Sequence, residues 1–467
     1  MNADIAYSSA RSLKKMLIAR DISSAELAEI FLTRITAYND ASKSFITVTG
    51  DQARTHAGSL TLPELTAHAL SGIPYAAKDL FDVKDVLTTA GSKVFHDRVA
   101  ATDAFTISKL RSANAVCLGK LNLHEFAYGA TGENETYGTC VNAYDQSRLA
   151  GGSSSGSAAA LAFGLCSVAL GTDTGGSVRA PAALNGLVGM KPTIGRVSTS
   201  GVVPYCWTLD HVGLMTRTIG DCADSLHLLA GYDPQDSSSV NRPVEDYASA
   251  LDQDIRGMRI GIPRNFYFER VDEEILSAMD RVKGYLVSKG AILVPITIPD
   301  MQHSRTVSLT VQMPEALSAH SGYLQTRGEL YGADFRAGLA LGQCLLAEHY
   351  IRAKRFIEIY RQQTNVLFED VDLILTPATP EIAQKLGTVK VVRNGVSEAI
   401  GNAITRFTTF FNMTGHPALT MPCAMHSEGL PIGLQLVGGY FKEKTILQVA
   451  HAIERADEFR IPHPSIG

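Results

Sequence analysis

The chain runs to 467 residues, 45% hydrophobic and 19% charged, which excludes disorder and leaves room for a large core or several domains. Its formal net charge of -5 supplies no general attraction for nucleic acid, whose phosphates call for a concentrated basic face. Residues 1–20 lack the apolar core and small-residue cleavage site of a secretory signal, so a cytoplasmic protein is expected.

No apolar run reaches the ~18 to 20 residues of a membrane span; the best, 158–170, is short and interrupted by Gly164 and Ser167. Membrane contact is therefore not expected. Seven cysteines, odd in number and without a Cys-x-x-Cys pair, argue against both a disulfide framework and a zinc cluster. Cys166 and Cys423 sit among apolar residues and read as core packing. The 13 histidines include no His-Glu-x-x-His, and neither a metal nor another cofactor is expected.

In chain order, Ser23-Ser24-Ala25-Glu26 reads as a capping box opening an amphipathic helix, with Leu27, Ile30, Phe31 and Ile35 on one side. Periodicity makes residues 1–65 a helical segment. Strands and helices then alternate: 73–77 extended, 103–112 helical, 115–118 extended, 155–163 helical, 167–170 extended. The second half continues with a strand at 258–262, a helix over 273–288, a strand at 291–298 and one long helical periodicity over 335–368. Strands at 373–376, 418–421 and 433–436 and a closing helix at 445–455 complete the pattern. Such alternation predicts an α/β protein. The polar stretch 233–243 carries two prolines and reads as a surface excursion rather than a boundary. One domain over 1–467 is expected, with the chemical motifs in 66–230 and the rest of the sheet and the substrate-side helices in 231–467.

The chemistry concentrates in two glycine-braced serine clusters, Gly151-Gly152-Ser153-Ser154-Ser155-Gly156-Ser157 and Gly171-Thr172-Asp173-Thr174-Gly175-Gly176-Ser177-Val178-Arg179. Glycine at this density marks backbone that approaches something closely. The apolar residues between the clusters rule out a pair of flexible linkers. A serine hydroxyl needs a base to become a nucleophile, and three arrangements offer one. Gly152-Ser153-Ser154-Ser155-Gly156 spells a nucleophile elbow centred on Ser154, but polar Tyr144-Asp145-Gln146-Ser147-Arg148 stands where its strand should be. Ser12-Leu13-Lys14-Lys15 spells Ser-x-x-Lys on an amphipathic helix, where the lysines read as a solvated face. Lys78 closes the apolar stretch Ile73-Pro74-Tyr75-Ala76-Ala77. Burial there lowers a lysine pKa and makes it a candidate general base; pairing with Asp79 or snorkelling to water is the alternative.

Together, the segment ending in Lys78 and the two clusters resemble the amidase signature family. Asn122-Leu123-His124-Glu125, Gly186-Leu187-Val188-Gly189-Met190-Lys191-Pro192-Thr193, Thr208-Leu209-Asp210-His211 and Pro431-Ile432-Gly433-Leu434-Gln435-Leu436 extend the resemblance over most of the chain. It implies a central mixed β-sheet covered by helices on both faces and a Ser-cisSer-Lys triad. In that triad Ser177 is the nucleophile, Ser153 the bridging serine after a cis bond from Gly152, and Lys78 the base. Backbone N–H groups of Thr174, Gly175, Gly176 and Ser177 are the implied oxyanion hole, with donors worth about 3 kcal/mol each. Gly152, Ser154, Asp173 and Arg179 are implied to support the loops.

The implied activity is hydrolysis of a small-molecule amide through an acyl-enzyme, and the possible partner is a second copy in a homodimer or a small accessory subunit. Two branches of the family come nearest. Asn412-Met413-Thr414-Gly415-His416-Pro417 resembles the glutaminase component of tRNA-dependent glutamine amidotransferases, which implies ammonia release from glutamine as the alternative reading. Ala337 and Gly338 stand where those components carry a basic pair for the substrate carboxylate, and Thr405-Arg406 where an acidic residue holds the amino group. Arg406 is the candidate substrate contact, with a surface role as its alternative. Ser155 resembles the carboxybiuret and allophanate hydrolases. His124, where aspartate is usual, reads as packing or pocket lining, and Leu214 follows Gly213 where proline is common. A catalytically silent assembly scaffold is the remaining alternative, opposed by the intact Lys78, Ser153 and Ser177.

Overall fold

Short runs of β-branched and small apolar residues between turns form the strands. The computed structural model describes residues 2–466, with side chains from Asp4 onward. Met1 and Gly467, the outer limits of the expected domain, lie outside the described residues. In chain order the strands are β1 (Phe45–Val48), β2 (Pro74–Lys78), β3 (Val116–Leu121), β4 (Val168–Asp173), β5 (Val188–Lys191), β6 (His211–Thr216) and β7 (Arg259–Pro263). They continue as β8 (Ile292–Ile296), β9 (Leu373–Pro377), β10 (Lys390–Arg393), β11 (Val396–Ala399), β12 (Ala418–Met425) and β13 (Pro431–Gly438).

One 11-stranded sheet runs β1-β3-β2-β4-β6-β5-β12-β13-β9-β7-β8, and β10 pairs with β11 as a separate hairpin. The sheet is mixed: β2 is parallel to β3 and β4, whereas β4 and β6, then β12 and β13, are antiparallel. Every residue of β2, β4, β6 and β13 is buried, the pattern of strands covered on both faces. Strand alternation assigns the two covers. Gly433 abuts Ala183 of the helix Arg179–Leu184, and Gly438, an odd number of residues further on, abuts Ile446 of the helix Glu443–Glu454. Among the described residues no helix is long and apolar enough to cross a membrane.

The capping box forms as expected: Glu26 N–H donates to Ser23 Oγ at 3.1 Å, and Ser23 N–H to Glu26 Oε2 at 2.8 Å, opening the helix Ser24–Ser42. The helix over 273–288 also forms with those bounds. Elsewhere the structure corrects the sequence reading. β1 interrupts the expected N-terminal helical segment. The long periodicity over 335–368 is two helices, Ala333–Gln343 and Ala347–Asp370, with a turn between them. A 24-residue helix, Ser304–Arg327, runs through Pro314 where none was expected; its alternating polar and apolar residues give no clean stripe.

The helix Ser155–Ala162 that follows the first serine cluster is seated by Gly156, whose N–H donates to Asn122 O at 2.9 Å. A Cβ at Gly156 would lie 2.5–2.6 Å from Asn122 N, Asn122 O and Ser44 O. These are main-chain atoms that cannot step aside. Gly156→Ala is expected to cost about 2 to 4 kcal/mol, in the overpacking range and above, read as a lowered midpoint in chemical denaturation; an unchanged midpoint would refute the close approach.

Candidate active site

β2, held between β3 and β4, ends on Lys78, whose side chain is fully buried. Its Nζ donates to Ser153 Oγ and to Thr172 Oγ1, both at 2.8 Å. Asp79, the alternative partner, pairs instead with Lys120 Nζ at 2.7 Å, both side chains being fully buried. Burial therefore dominates and pushes the Lys78 pKa down to about 7, against a weaker upward pull from the charges of Asp210 and Asp173. A neutral amine next to a hydroxyl can accept its proton.

The Gly152–Ser153 peptide is cis. Ser153 O accepts from His124 N–H at 3.1 Å, and Ser154 N–H donates to Ser177 O at 3.2 Å, so the first serine cluster and the loop after β4 lie side by side. The Ser154 hydroxyl donates to Thr172 O at 3.2 Å and is fully buried. A buried serine tied to a main-chain carbonyl does not form a nucleophile elbow. The Ser-x-x-Lys letters at Ser12 carry no site either. Ser12 and Lys15 are exposed, and Lys14 is not solvated as expected, because its Nζ donates to His68 O at 2.7 Å and Ser71 O at 3.1 Å.

Asp173 shapes the loop that carries Ser177. Its Oδ1 accepts from Gly176 N–H at 2.8 Å, and its Oδ2 from the N–H groups of Val178 at 3.1 Å and Arg179 at 3.3 Å. Arg179 adds Nε and Nη2 at 3.0 and 2.9 Å and spends its other donors on Gln435 Oε1 at 2.7 Å and Asn412 Oδ1 at 2.6 Å. Burial alone would raise the Asp173 pKa, but the Arg179 charge and its hydrogen bonds outweigh burial and hold the carboxyl well below its usual range. Gly176 has φ 128°, and a Cβ there would sit 1.9 Å from Thr408 Oγ1. The hydroxyls of Thr408 and Thr409 donate to Gly175 O at 2.7 and 3.0 Å.

One expected oxyanion donor is thereby corrected: the Gly176 N–H is committed to Asp173. The N–H groups of Thr174, Gly175 and Ser177 find no protein acceptor among the described residues. Thr174, Gly175 and Ser177 line a cavity of about 440 Å³ together with His124, Tyr128, Tyr205 and Arg305. Ser177 is 6% exposed, whereas Lys78 and Ser153 are fully buried behind it. His124 lines this cavity, with Nε2 3.1 Å from Asp334 Oδ2.

Arg406 is a correction too. It is neither a substrate contact nor a surface arginine. Its guanidinium donates to Glu398 Oε2 at 2.9 Å and to the carbonyls of Glu269 and Arg270 at 2.8 Å, stacks on Phe407 at 4.8 Å, and does not line the cavity. Sequence reasoning missed Thr172, Asn412 and Gln435, which touch Lys78 or Arg179, and the cavity-lining Arg305. Thr172 was legible as the neighbour of Asp173; Arg305 had no signal.

A family model, Amidase, matches residues 26–447. The chain belongs to the Amidase family. This amidase is 38% identical over 479 residues to the glutamyl-tRNA(Gln) amidotransferase A-type subunit of Ectopseudomonas mendocina, covering 97% of the chain and 98% of the relative. Among solved structures it resembles a component of a vestigial protein complex bearing on the origins of an s-triazine catabolic enzyme. That match has TM-score 0.91, 31% identity, and 96% and 98% coverage of the two chains. It also resembles the corresponding glutamyl-tRNA(Gln) amidotransferase component from Thermotoga maritima, with TM-score 0.85, 29% identity, and 99% and 98% coverage. The amidase-signature fold expected from the sequence holds, and the protein is an amidase acting on C–N amide bonds.

The Lys78 environment fixes a pH response. Activity that needs the neutral amine rises about tenfold per pH unit below the inflection and levels above it, with the inflection near the amine's pKa of about 7. Stability moves in the same direction. The folded pKa lies below the ordinary 10.5, so the penalty from Lys78 is full below pH about 7 and fades as pH rises toward 10.5. Lys78→Met is expected to abolish turnover while unfolding no earlier than the native protein at pH 6, an advantage that shrinks by pH 9. Thermal melts and a kcat/KM profile over that range check both.

Proposed function

We propose that this amidase hydrolyses a small amide with Ser177 as nucleophile, Ser153 as proton relay and Lys78 as base. The observation that carries the reading is the buried Lys78 amine, without a carboxylate partner, hydrogen-bonded to Ser153 beside the loop that bears Ser177. Ser177 Oγ attacks the amide carbonyl carbon as its proton passes to Ser153 Oγ and the Ser153 proton passes to Lys78 Nζ. The tetrahedral oxyanion takes the N–H groups of Thr174, Gly175 and Ser177, which are open toward the cavity. Ser153, resupplied by Lys78, then protonates the departing nitrogen and the C–N bond breaks. Water cleaves the resulting ester by the same relay, restoring Ser177. Gly152, Ser154, Asp173 and Arg179 hold the two loops in register. We read the chain as a single catalytic domain, because one sheet takes strands from both halves.

A second reading has support of its own. The 38% identity to the Ectopseudomonas mendocina amidotransferase component over 97% of the chain favours ammonia release from glutamine within an assembly that includes an accessory subunit. The missing basic pair at Ala337 and Gly338 and the internal role of Arg406 weigh against glutamine held in the manner of the amidotransferases.

Ammonia or amine release measured over a panel of small amides, glutamine included, separates the two. Turnover by the isolated chain supports the hydrolase; turnover of glutamine alone, and only with tRNA and a copurifying partner chain, supports the alternative. Ser177→Ala is expected to lower kcat by ~10⁴-fold or more, the scale of losing a covalent nucleophile, with an unchanged melting temperature. Retained activity in that variant would end the serine mechanism.

A further inference from the structure

The cavity that exposes Ser177 also holds a cation with nothing to hold. Arg305, the second residue of the helix Ser304–Arg327, lines it. Its Nε is buried without a hydrogen-bond partner, and among the described residues its guanidinium forms no hydrogen bond or ion pair. The one carboxylate whose charge acts appreciably on Arg305, Glu398, is taken by Arg406 at 2.9 Å. Two other carboxylates line the cavity, Asp334 and Glu133; Asp334 is bonded to His124, and neither is within ion-pair distance of Arg305. Nor does the helix supply a counter-charge, since its N-terminal end is the positive end of the dipole.

An arginine cannot shed its proton in this setting; the Arg305 side chain is half-buried, with Nε shut off from water and from any partner, and a buried polar group left unsatisfied is costly. Such a group is satisfied when an anion enters. The planar fork of N–H donors fits a carboxylate in bidentate fashion. The Tyr128 hydroxyl, in the same cavity and likewise without a hydrogen-bond partner among the described residues, stands by as a further donor. The position that would otherwise carry a cation is closed. A Cβ at Gly338 would lie 2.6–2.8 Å from the Tyr128 ring and hydroxyl, and Ala337 is exposed.

We propose that Arg305 is the specificity residue of this site and that the substrate is an amide bearing a carboxylate, bound by the Arg305 guanidinium while its amide carbonyl meets Ser177. This rests on the hydrolytic reading above for the reaction, although the anion site itself does not.

The test pairs three acids, malonamate, succinamate and glutaramate, with their neutral diamides. The native protein is expected to prefer at least one acid over its diamide by about tenfold or more in kcat/KM, and Arg305→Gln to erase that preference through KM while moving the diamide less than about threefold. Arg305→Lys should restore part of it. Equal use of acid and diamide in every pair, or a loss in Arg305→Gln that strikes both alike, overturns the proposal. Calorimetric titration of the same acids into Ser177→Ala protein, with and without Arg305→Gln, reads the site without turnover. Binding that Arg305→Gln abolishes, in a protein that cleaves none of these amides, keeps the anion site and removes the hydrolytic reading. Binding that is absent, or that survives Arg305→Gln, removes the anion site.

Discussion

The buried carboxylate of Asp173 is the contact on which the site is built. It gathers three main-chain N–H groups from the Ser177 loop, two guanidinium donors of Arg179 and the amide of Asn412. Through Arg179 it is tied to Gln435 in β13. One residue at the end of β4 thus joins that strand, the Ser177 loop and a strand from the far end of the chain. Removing either member of such a pair strands a charge in the interior, at about 3 to 5 kcal/mol. That same demand uses up the Gly176 N–H, which fixes the loop but leaves the donors beside it free.

Against this background the three fully buried lysines show how environment, rather than residue type, assigns a role. Lys120 meets Asp79 at 2.7 Å and is a paired structural charge. Lys191 donates to the main-chain carbonyls of His416 at 2.6 Å and Pro192 at 3.2 Å; carbonyls cannot give up a proton. Lys78 alone of the three meets only hydroxyls, those of Ser153 and Thr172. Burial depresses its pKa, and hydroxyl partners can exchange protons with it. A base requires both conditions, and only Lys78 meets both.

What the sequence disclosed follows from the range of the interactions involved. The capping box at Ser23, the helix over 273–288 and the strand ending at Lys78 are set by neighbours within a few residues, and local patterns reveal them. The glycine clusters were legible because close backbone approach leaves glycine as the permitted residue, as Gly176 against Thr408 illustrates. Ser304–Arg327 was not legible: Pro314 and a mixed face hide a helix that tertiary packing enforces. The break between Gln343 and Ala347 was masked by periodicity that continues on both sides. Asn412 and Gln435, more than 200 residues from Asp173 and Arg179, could not be linked to them by spacing.

The recognition end of the cavity shows the same limit more sharply. Reading by position placed a cation at Arg406 and noted its absence at Gly338. Both residues serve other ends: Arg406 neutralises Glu398 and props up the carbonyls of Glu269 and Arg270, and Gly338 makes room for Tyr128. Because Arg406 occupies Glu398, Arg305 is left without a carboxylate at ion-pair distance among the described residues. The free charge in the cavity is therefore a product of two arginines, Arg305 and Arg406, competing for the one carboxylate of Glu398, and a single position read in isolation does not carry that information. The groups to which we assign catalysis, pinned by short-range backbone geometry, stay where a motif puts them. A binding charge can arise wherever the network leaves one unpaired.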